Sequence, residues 1–505
     1  MKIINREAML KAEEMAFASG ISYSRLMENA GAATARFIRE TVDVKNKNVV
    51  VVCGGGNNGG DGLVVARKLF ENSAVVTVIL TNGTVNTHNS KQMFEKLSGD
   101  IKIIDYTQFS DTCLHLVSDC DILVDAVFGT GFSRTPDSLI TRLFEEMSAS
   151  RSTTFSVDLP SGVVCDTGEI KTACVRADYT VTFHCLKPCH VLPPANEFCG
   201  KVTAVKIGID EKIIDTLSYV CKTVDKPTLK KRRKNDHKGT FGKGLSLCGS
   251  YGMSGAAVIA AKAALRCGIG ILKMACVKEN YEISAMSLPE AVLVPCQTNN
   301  GKYSLADFPT LKEHLKDSNA LLIGCGIGVS KELRELIKKL ISQSQVPTVL
   351  DADGINCLSS CIEIIKQAKA PIILTPHLAE MSRLCGKTIS EIESFPIETA
   401  KEFANRYGVY LILKGANTVI ATPKGETFVN LLGNPGMAKA GSGDMLSGII
   451  LALLAQGYDI TEGLKTAVWL HSAVGDMAAE KFSQTAMLPT DMINLLPDLL
   501  RNLKA

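Results

Sequence analysis

"VVVVCGGGNNGGDGLVVARKL", residues 49–69, runs from a string of valines into a turn made wholly of Gly, Asn and Asp, and then into a helical pattern. Four β-branched residues and a cysteine in a row read as a strand buried on both faces, as in a parallel sheet. Residues 60–72 read as the helix that follows. Gly54, Gly56 and Gly59 satisfy the G-x-G-x-x-G pattern of a dinucleotide-binding turn, where backbone N–H groups and a helix N-terminus meet a phosphate. Two features set this turn apart from an ordinary NAD site. The next strand, "AVVTVIL" (74–80), ends in "TNG" and offers no carboxylate to a ribose 2′-OH, and Asn57, Asn58 and Asp61 crowd the turn with oxygen ligands. A tight turn with an Asx cap is the plain alternative, and the density of Gly, Asn and Asp favours a site.

Outward from this stretch the pattern repeats. Residues 101–105, 121–127, 153–159 and 179–183 read as further strands, with an amphipathic helix over 137–149. Near-continuous apolar strands alternating with helices predict an α/β fold with a parallel sheet covered on both faces. Polar, basic sequence over 215–240, containing "KKRRK" (230–234), marks a boundary near 225. A second α/β series follows, with strands at 244–249, 320–326, 347–354, 370–377, 409–415 and 418–422, and then a helical final third. With 505 residues, two domains are expected.

Net charge is +3, too small to argue for nucleic acid, and the basic cluster reads as a solvated linker. The 17 cysteines are scattered with no C-x-x-C pair, the usage of a reducing cytoplasm. "HCLKPCH" (184–190) gathers two His and two Cys, but its spacing fits none of the common zinc patterns. No secretory signal stands at the N-terminus, and the apolar stretch 445–457 is too short to span a bilayer, so a cytoplasmic protein without a membrane partner is expected.

Three motifs of the first half fall at strand ends, where open α/β sheets bind ligands: 54–62, 129–135 and 158–162. Asp125 by itself reads equally as a solvated strand-end carboxylate, and Asp158 as a helix cap. Together with "LMENAG" (26–31), "D-x-x-F-G-T-G" (125–131) and "D-L-P-S-G" (158–162), the glycine loop resembles the N-terminal domain of the YjeF family, the NAD(P)H-hydrate epimerases. The resemblance implies a three-layer Rossmann-like epimerase domain over 1–220 and a linker over 221–240. It implies that Asn57, Asn58, Gly59, Gly60 and Asp61, with Gly129, Thr130, Gly131, Phe132, Ser133, Arg134 and Thr135, hold a hydrated NADH or NADPH (NADHX or NADPHX). Asn58, Asp125 and Ser161 would surround a potassium ion, and Asp158 would be the acid/base at the nicotinamide ring.

In the second half, "GNPGMAKAGSGDMLSGIILALL" (433–454) puts Gly441 and Gly443 before a long apolar helix, whose N–H groups can receive an anion, with Asp444 on its first turn. An Asp N-cap after a glycine loop is the plain alternative. The motif resembles the G-[AS]-G-D signature of the ribokinase-like superfamily. More closely, with "HKGTFG" (237–242), "GSYGMSGAA" (249–257), "DADGIN" (351–356), "TPH" (375–377) with Glu380, and "LKGANT" (413–418), it looks like the ADP-dependent NAD(P)H-hydrate dehydratases. The chain departs from that branch at Cys325, where proline is common, and after His377, where Pro and Gly are usual. The resemblance implies a ribokinase-like dehydratase domain over 241–505. Gly255, Ala256, Gly326, His377 and Asp444 would touch the hydrate; Lys414, Gly415, Ala416, Asn417, Thr418 and Gly443 would touch ADP, or ATP, with Mg2+.

Taken together the two resemblances imply nicotinamide-nucleotide repair by a homo-oligomer: epimerisation of R and S hydrates in the first half, dehydration of the S form in the second. A small-molecule kinase with a fused nucleotide-sensing domain is the nearest alternative, and a scaffold role for the first half a third.

Overall fold

The valine run lies at the middle of a seven-stranded parallel sheet. The computed structural model describes residues 1–503, which divide into two compact units at Lys222/Thr223. In the first unit the order is β1 (Lys2–Ile3), α1 (Arg6–Ala18), α2 (Tyr23–Thr41), β2 (Asn48–Cys53), α3 (Asn57–Phe70), β3 (Val75–Leu80), α4 (His88–Glu95), β4 (Lys102–Asp105) and α5 (Ser110–Asp119). There follow β5 (Ile122–Ala126), α6 (Ser138–Ala149), β6 (Thr153–Val157), β7 (Tyr179–Phe183), β8 (Lys201–Val205), α7 (Glu211–Thr216) and β9 (Cys221–Thr223). The sheet runs β4-β3-β2-β5-β6-β7-β8, so the chain reverses its direction of travel between β2 and β5. Side chains of β2 alternate between two cores. Val50 and Val52 pack with Leu143, Phe144 and Met147 of α6, while Val49, Val51 and Cys53 pack with Leu63, Val64 and Ile38 on the other face.

The second unit continues with β10 (Lys243–Leu247), α8 (Ser254–Arg266), β11 (Ile271–Val277), α9 (Tyr281–Ser287), β12 (Val292–Cys296), β13 (Thr298–Asn299), β14 (Lys302–Tyr303), α10 (Phe308–Lys316), β15 (Ala320–Ile323) and α11 (Lys331–Gln343). Next come β16 (Thr348–Leu350), α12 (Asp353–Leu358), β17 (Ile372–Leu374), α13 (Leu378–Cys385), α14 (Ile389–Ser394), α15 (Pro396–Tyr407), β18 (Tyr410–Leu413), β19 (Val419–Ala421) and β20 (Thr427–Val429). Helices α16 (Ser442–Ala455), α17 (Ile460–Ala486) and α18 (Pro489–Arg501) close the chain. Its strands run β20-β19-β18-β17-β16-β15-β10-β11-β12, parallel from β18 to β12, with the reversal between β15 and β10. Helix α16 is buried on every side after its first turn, which explains its unbroken apolar run.

Eight strands lie outside the sequence expectation: the two- and three-residue β1, β9, β13, β14 and β20, and the longer β8, β11 and β12. Strand β11 carries Lys273 in its apolar run, tolerated because its ammonium reaches the carbonyl of His314 and the carboxylate of Asp317. Strand β12 contains Pro295, admissible because β12 is a sheet edge.

Candidate active sites

At the first reversal point the glycine loop is shaped by packing. Gly54 donates its N–H to Ala126 O, and a Cβ on it would stand 2.1 Å from Val127 O; a Cβ on Gly59 would stand 1.8 Å from Gly54 O. The first intrahelical bond of α3 runs from Gly60 N–H to Gly56 O at 3.2 Å, so the N–H groups of the preceding turn face outward for an anion. "LMENAG" serves the same approach: Gly31 lets α2 pass against Val64 of α3, and Met27 sits on Gly60.

Asp125, wholly buried at the end of β5, accepts from Ser156 Oγ at 2.9 Å, from Ser161 N–H at 2.7 Å and from Ser161 Oγ. Burial raises its pKa, and the serine bonds oppose the rise. Ser161 Oγ in turn accepts from Phe128 N–H at 2.8 Å, and Asn58 lies against the next residue, Gly129. The amide nitrogen of Asn58 is buried with no partner. Along the loop 129–135, Phe132 is buried and stacks on Phe128 at 4.5 Å, an anchor for the loop, whereas Ser133, Arg134 and Thr135 are exposed.

Asp158 follows β6 with φ +67°, a left-handed conformation that an L-residue holds only at a cost. Its Oδ1 accepts from Lys187 Nζ at 2.6 Å and from Thr182 Oγ1 at 2.8 Å. Burial works against the Asp158 charge, but the fully buried Lys187 outweighs it and holds the carboxyl below the usual range. His190 Nδ1 accepts from Lys187 N–H, so its Nε2–H donates to Asp158 O at 3.0 Å; burial and Lys187 push its pKa down to about 4. Lys187 and His190 belong to "HCLKPCH", read in the sequence only as an imagined zinc site. His184 Nε2 accepts from the N–H groups of Ile207 and Ile209, so both imidazoles are occupied without a metal.

The second reversal point gathers Asp351, Lys414, Gly443 and Asp444. Asp351, after β16, is buried; its Oδ1 accepts from Lys414 Nζ at 2.8 Å and Thr375 Oγ1 at 2.7 Å, its Oδ2 from Ser447 Oγ at 2.8 Å. Burial alone would raise the Asp351 pKa, yet Lys414 lowers it below the ordinary value. A Cβ on Gly443 would stand 3.3 Å from Lys414 Nζ, so ammonium and helix N-terminus face one space. Asp444 is half-buried there, its pKa raised by burial and then by Asp351. Ligand atoms of Cys325, Asp351 and Asp444 lie within 4.8 Å of one another.

Gly326 (φ +64°) leaves room for Ala256, which a Cβ on it would approach to 3.0 Å, and Ser250 Oγ donates to Gly326 O at 2.9 Å, joining the loops that carry Gly255, Ala256 and Gly326. His377 is an N-cap: Nδ1 accepts from Ala379 and Glu380 N–H at 3.1 and 3.3 Å, and Nε2 lies 3.3 Å from Glu380 Oε1. Its side chain is 52% exposed, so it is free to meet a ligand only from the outside. The bridge from His377 to Lys414 brings loop 415–418 alongside, with Gly415 and Ala416 exposed. Buried His471, absent from the sequence reading, bonds Ser442 O at 2.9 Å and fixes the start of α16, while Asn434 is tied to Asp476 at 2.9 Å.

Two family models match the chain: one described as YjeF-related protein N-terminus over residues 23–189, and one described as NAD(P)H-hydrate dehydratase over 245–498. The bifunctional NAD(P)H-hydrate repair enzyme Nnr of Thermofilum pendens is 36% identical over 511 residues, covering 100% of this chain and 95% of that protein. Its counterpart from Moorella thermoacetica is 36% identical, with 95% and 92% covered. Among solved structures, the ADP/ATP-dependent NAD(P)H-hydrate dehydratase of Bacillus subtilis, co-crystallised with ATP/Mg2+, is 29% identical and covers 55% of this chain and 95% of that one, at TM-score 0.48. With both models matched in order and relatives aligned along its full length, the chain belongs to the bifunctional NAD(P)H-hydrate repair enzymes.

Proposed function

We propose that the first unit interconverts the R and S forms of NADHX and NADPHX at Asp158, and that the second dehydrates the S form at Asp444 with an adenine nucleotide as phosphoryl donor. The observation that carries this reading is a carboxylate near each sheet reversal, Asp158 after the neighbouring strand β6 and Asp444 on the first turn of α16, each beside a helix N-terminus that no side chain caps and whose N–H groups suit a phosphate. The hydrate bears its hydroxyl on C6, next to the ring nitrogen. Hydroxide leaves poorly and phosphate well. Asp444 takes the proton of that hydroxyl as its oxygen attacks the terminal phosphorus of ADP, and Lys414 with the Gly443 turn receives the charge that develops. The nitrogen lone pair then expels phosphate as a C5 proton is lost, giving NAD(P)H, AMP and phosphate.

The donors around Asn58 fit a potassium ion: a buried carboxylate, a hydroxyl bonded to it, and an amide whose unpartnered end can present its oxygen instead. Bound there, the ion supplies positive charge beside Gly129, in the loop assigned to the substrate. The reading includes magnesium with the adenine nucleotide, as in the Bacillus subtilis dehydratase co-crystallised with ATP/Mg2+. Cys325, Asp351 and Asp444 make a poor cage for it, since one donor is a thiol and Asp351 already accepts from Lys414, Thr375 and Ser447, so the nucleotide's own phosphates would hold it. The proposal further takes ADP or ATP as donor, a homo-oligomer as the working form and the cytoplasm as its place; among the described residues no helix is long and apolar enough to cross a membrane.

The test is recovery of NADH absorbance from separated NADHX epimers with ADP. Asp158→Ala is expected to abolish use of the R epimer and leave S-epimer dehydration intact. Release of a stable phosphorylated nucleotide instead of free phosphate would favour the kinase reading.

A further inference from the structure

Gly55 and Gly60 of "GGGNNGGDG" lie outside the G-x-G-x-x-G pattern, and both face the connection from β3 to α4. A Cβ on Gly55 would stand 2.5 Å from Asn86 Nδ2 and 3.2 Å from Thr84 O; one on Gly60 would stand 3.2 Å from Ser90 Cα. Asn86 N–H donates to Gly55 O at 2.8 Å, so the connection is held on the glycine turn by a backbone bond as well as by packing. Thr87 and Ser90 exchange the bonds of a capping box, which occupies their side chains with α4 itself. The side chain of Asn86 is differently placed. It is exposed, its Oδ1 accepts from Thr84 Oγ1 at 3.3 Å, and among the described residues its Nδ2 donates to no group. An amide donor therefore stands open beside the glycine turn.

Strand order says which part of a dinucleotide would reach it. Asp158 follows β6 and the glycine turn follows β2, two strand positions apart, or roughly 10 Å. With the nicotinamide ring at Asp158 and the phosphates at the turn, the adenosine half continues in the same direction, over the end of β3. In an ordinary NAD site an acid at the end of that strand accepts from the ribose 2′-OH. Here β3 ends at Leu80, and residues 81–87, "TNGTVNT", bring no acid before α4. Asp105 of β4 packs on Gly83, but its carboxylate is engaged by Thr107 and Gln108.

We propose that Asn86 meets the adenosine 2′ position of the hydrate, and that its neutral amide lets the first unit take NADHX and NADPHX alike. The inference rests on the epimerase reading of Asp158 and adds the far end of the substrate to it. An amide donates to a 2′-phosphate and either donates to or accepts from a 2′-hydroxyl. A carboxylate at the same place would accept from the hydroxyl and repel the phosphate, and an ammonium would favour the phosphate. The charge on residue 86 thus sets the preference between the two substrates, without touching the chemistry at Asp158.

The experiment measures kcat/KM for R-to-S conversion of NADHX and of NADPHX by the full-length protein, without ADP so that the second unit is silent. Wild type is compared with Asn86→Asp, Asn86→Lys, Asn86→Ala and Asp158→Asn. Because both substrates are assayed on one sample, their ratio does not depend on how much of a variant is folded. Asn86→Asp is expected to lower the NADPHX-to-NADHX ratio at least about 10-fold and Asn86→Lys to raise it, both effects shrinking as salt is added. Asn86→Ala should lower both kcat/KM values by about 3- to 10-fold, the worth of one hydrogen bond. A ratio that stays at the wild-type value in both charged variants, while Asp158→Asn is inactive, would overturn the inference and leave the Asp158 reading standing. So would a wild type that converts only one of the two hydrates. If Asp158→Asn converts them as the wild type does, the epimerase site itself is misplaced, and the inference falls with it.

Discussion

Asp444 occupies the third position of α16, and Gly441, in a left-handed conformation, takes the N-cap position without any side-chain bond. Capping therefore does not account for an acid here. Replacement by Asn keeps the shape and removes the base, so dehydration of S-NADHX should fall by at least about 10²-fold, while ADP affinity by calorimetry and epimerisation stay near wild type. Because burial and Asp351 raise its pKa, the basic form is lost as pH falls through a value above the ordinary 3.8. The wild-type rate should accordingly decline on the acid side, and that limb should be missing from the residual activity of Asp444→Asn. A variant that dehydrates at the wild-type rate returns Asp444 to a local helix role. Asp444 was legible because "GSGD" places it at a glycine turn before an apolar helix. Its neighbour Asp351 was not, since nothing within "DADGIN" says which acid meets Lys414, 63 residues away.

Among the elements, α3 shows how far a glycine motif can be read. All three fingerprint glycines were legible, but their reasons differ. Gly54 and Gly59 are required by backbone approach, whereas a Cβ on Gly56, whose φ is −90°, meets nothing within 4 Å. Gly59→Ala should destabilise the first unit by about 1–3 kcal/mol or more, the usual cost of overpacking, and impair epimerisation through displacement of the α3 start. Gly56→Ala should leave the unfolding transition within about 0.5 kcal/mol of wild type. Equal effects of the two in calorimetry would mean that the turn is selected for its phosphate contact alone. The basic cluster acquires its meaning from tertiary contacts. Lys230 Nζ bonds Gly457 O at 2.6 Å, past the end of α16, and Arg232 bonds Gly268 O at 2.7 Å, past the end of α8. These are cations at helix C-termini rather than a patch for a polyanion.

For the molecule as a whole, strand alternation made both sheets legible, and the motifs fell at strand ends because a parallel sheet exposes its loops there. Strand order, which creates the two reversal points, is a product of long-range pairing that no local pattern encodes. Nor does a single histidine announce whether it will be buried neutral, yet each unit holds one: His190 against Asp158 O, and His471 against Ser442 O. Burial, the largest cause in both, lowers each from 6.5 to about 4. In the unfolded chain these rings take up a proton near pH 6.5, while the folded ones stay neutral until about pH 4. The unfolded state thus binds more protons over that window, and stability must fall as pH falls through it, levelling off below. The loss is on the order of 3 kcal/mol for each histidine. Calorimetric midpoints should therefore drop between about pH 7 and pH 4. His471→Gln keeps a donor for Ser442 and cannot titrate, so the drop for the second unit should shrink, whatever the variant's absolute stability. If its midpoint shifts with pH as much as that of the wild type, carboxylates rather than buried imidazoles set the acid sensitivity of that unit.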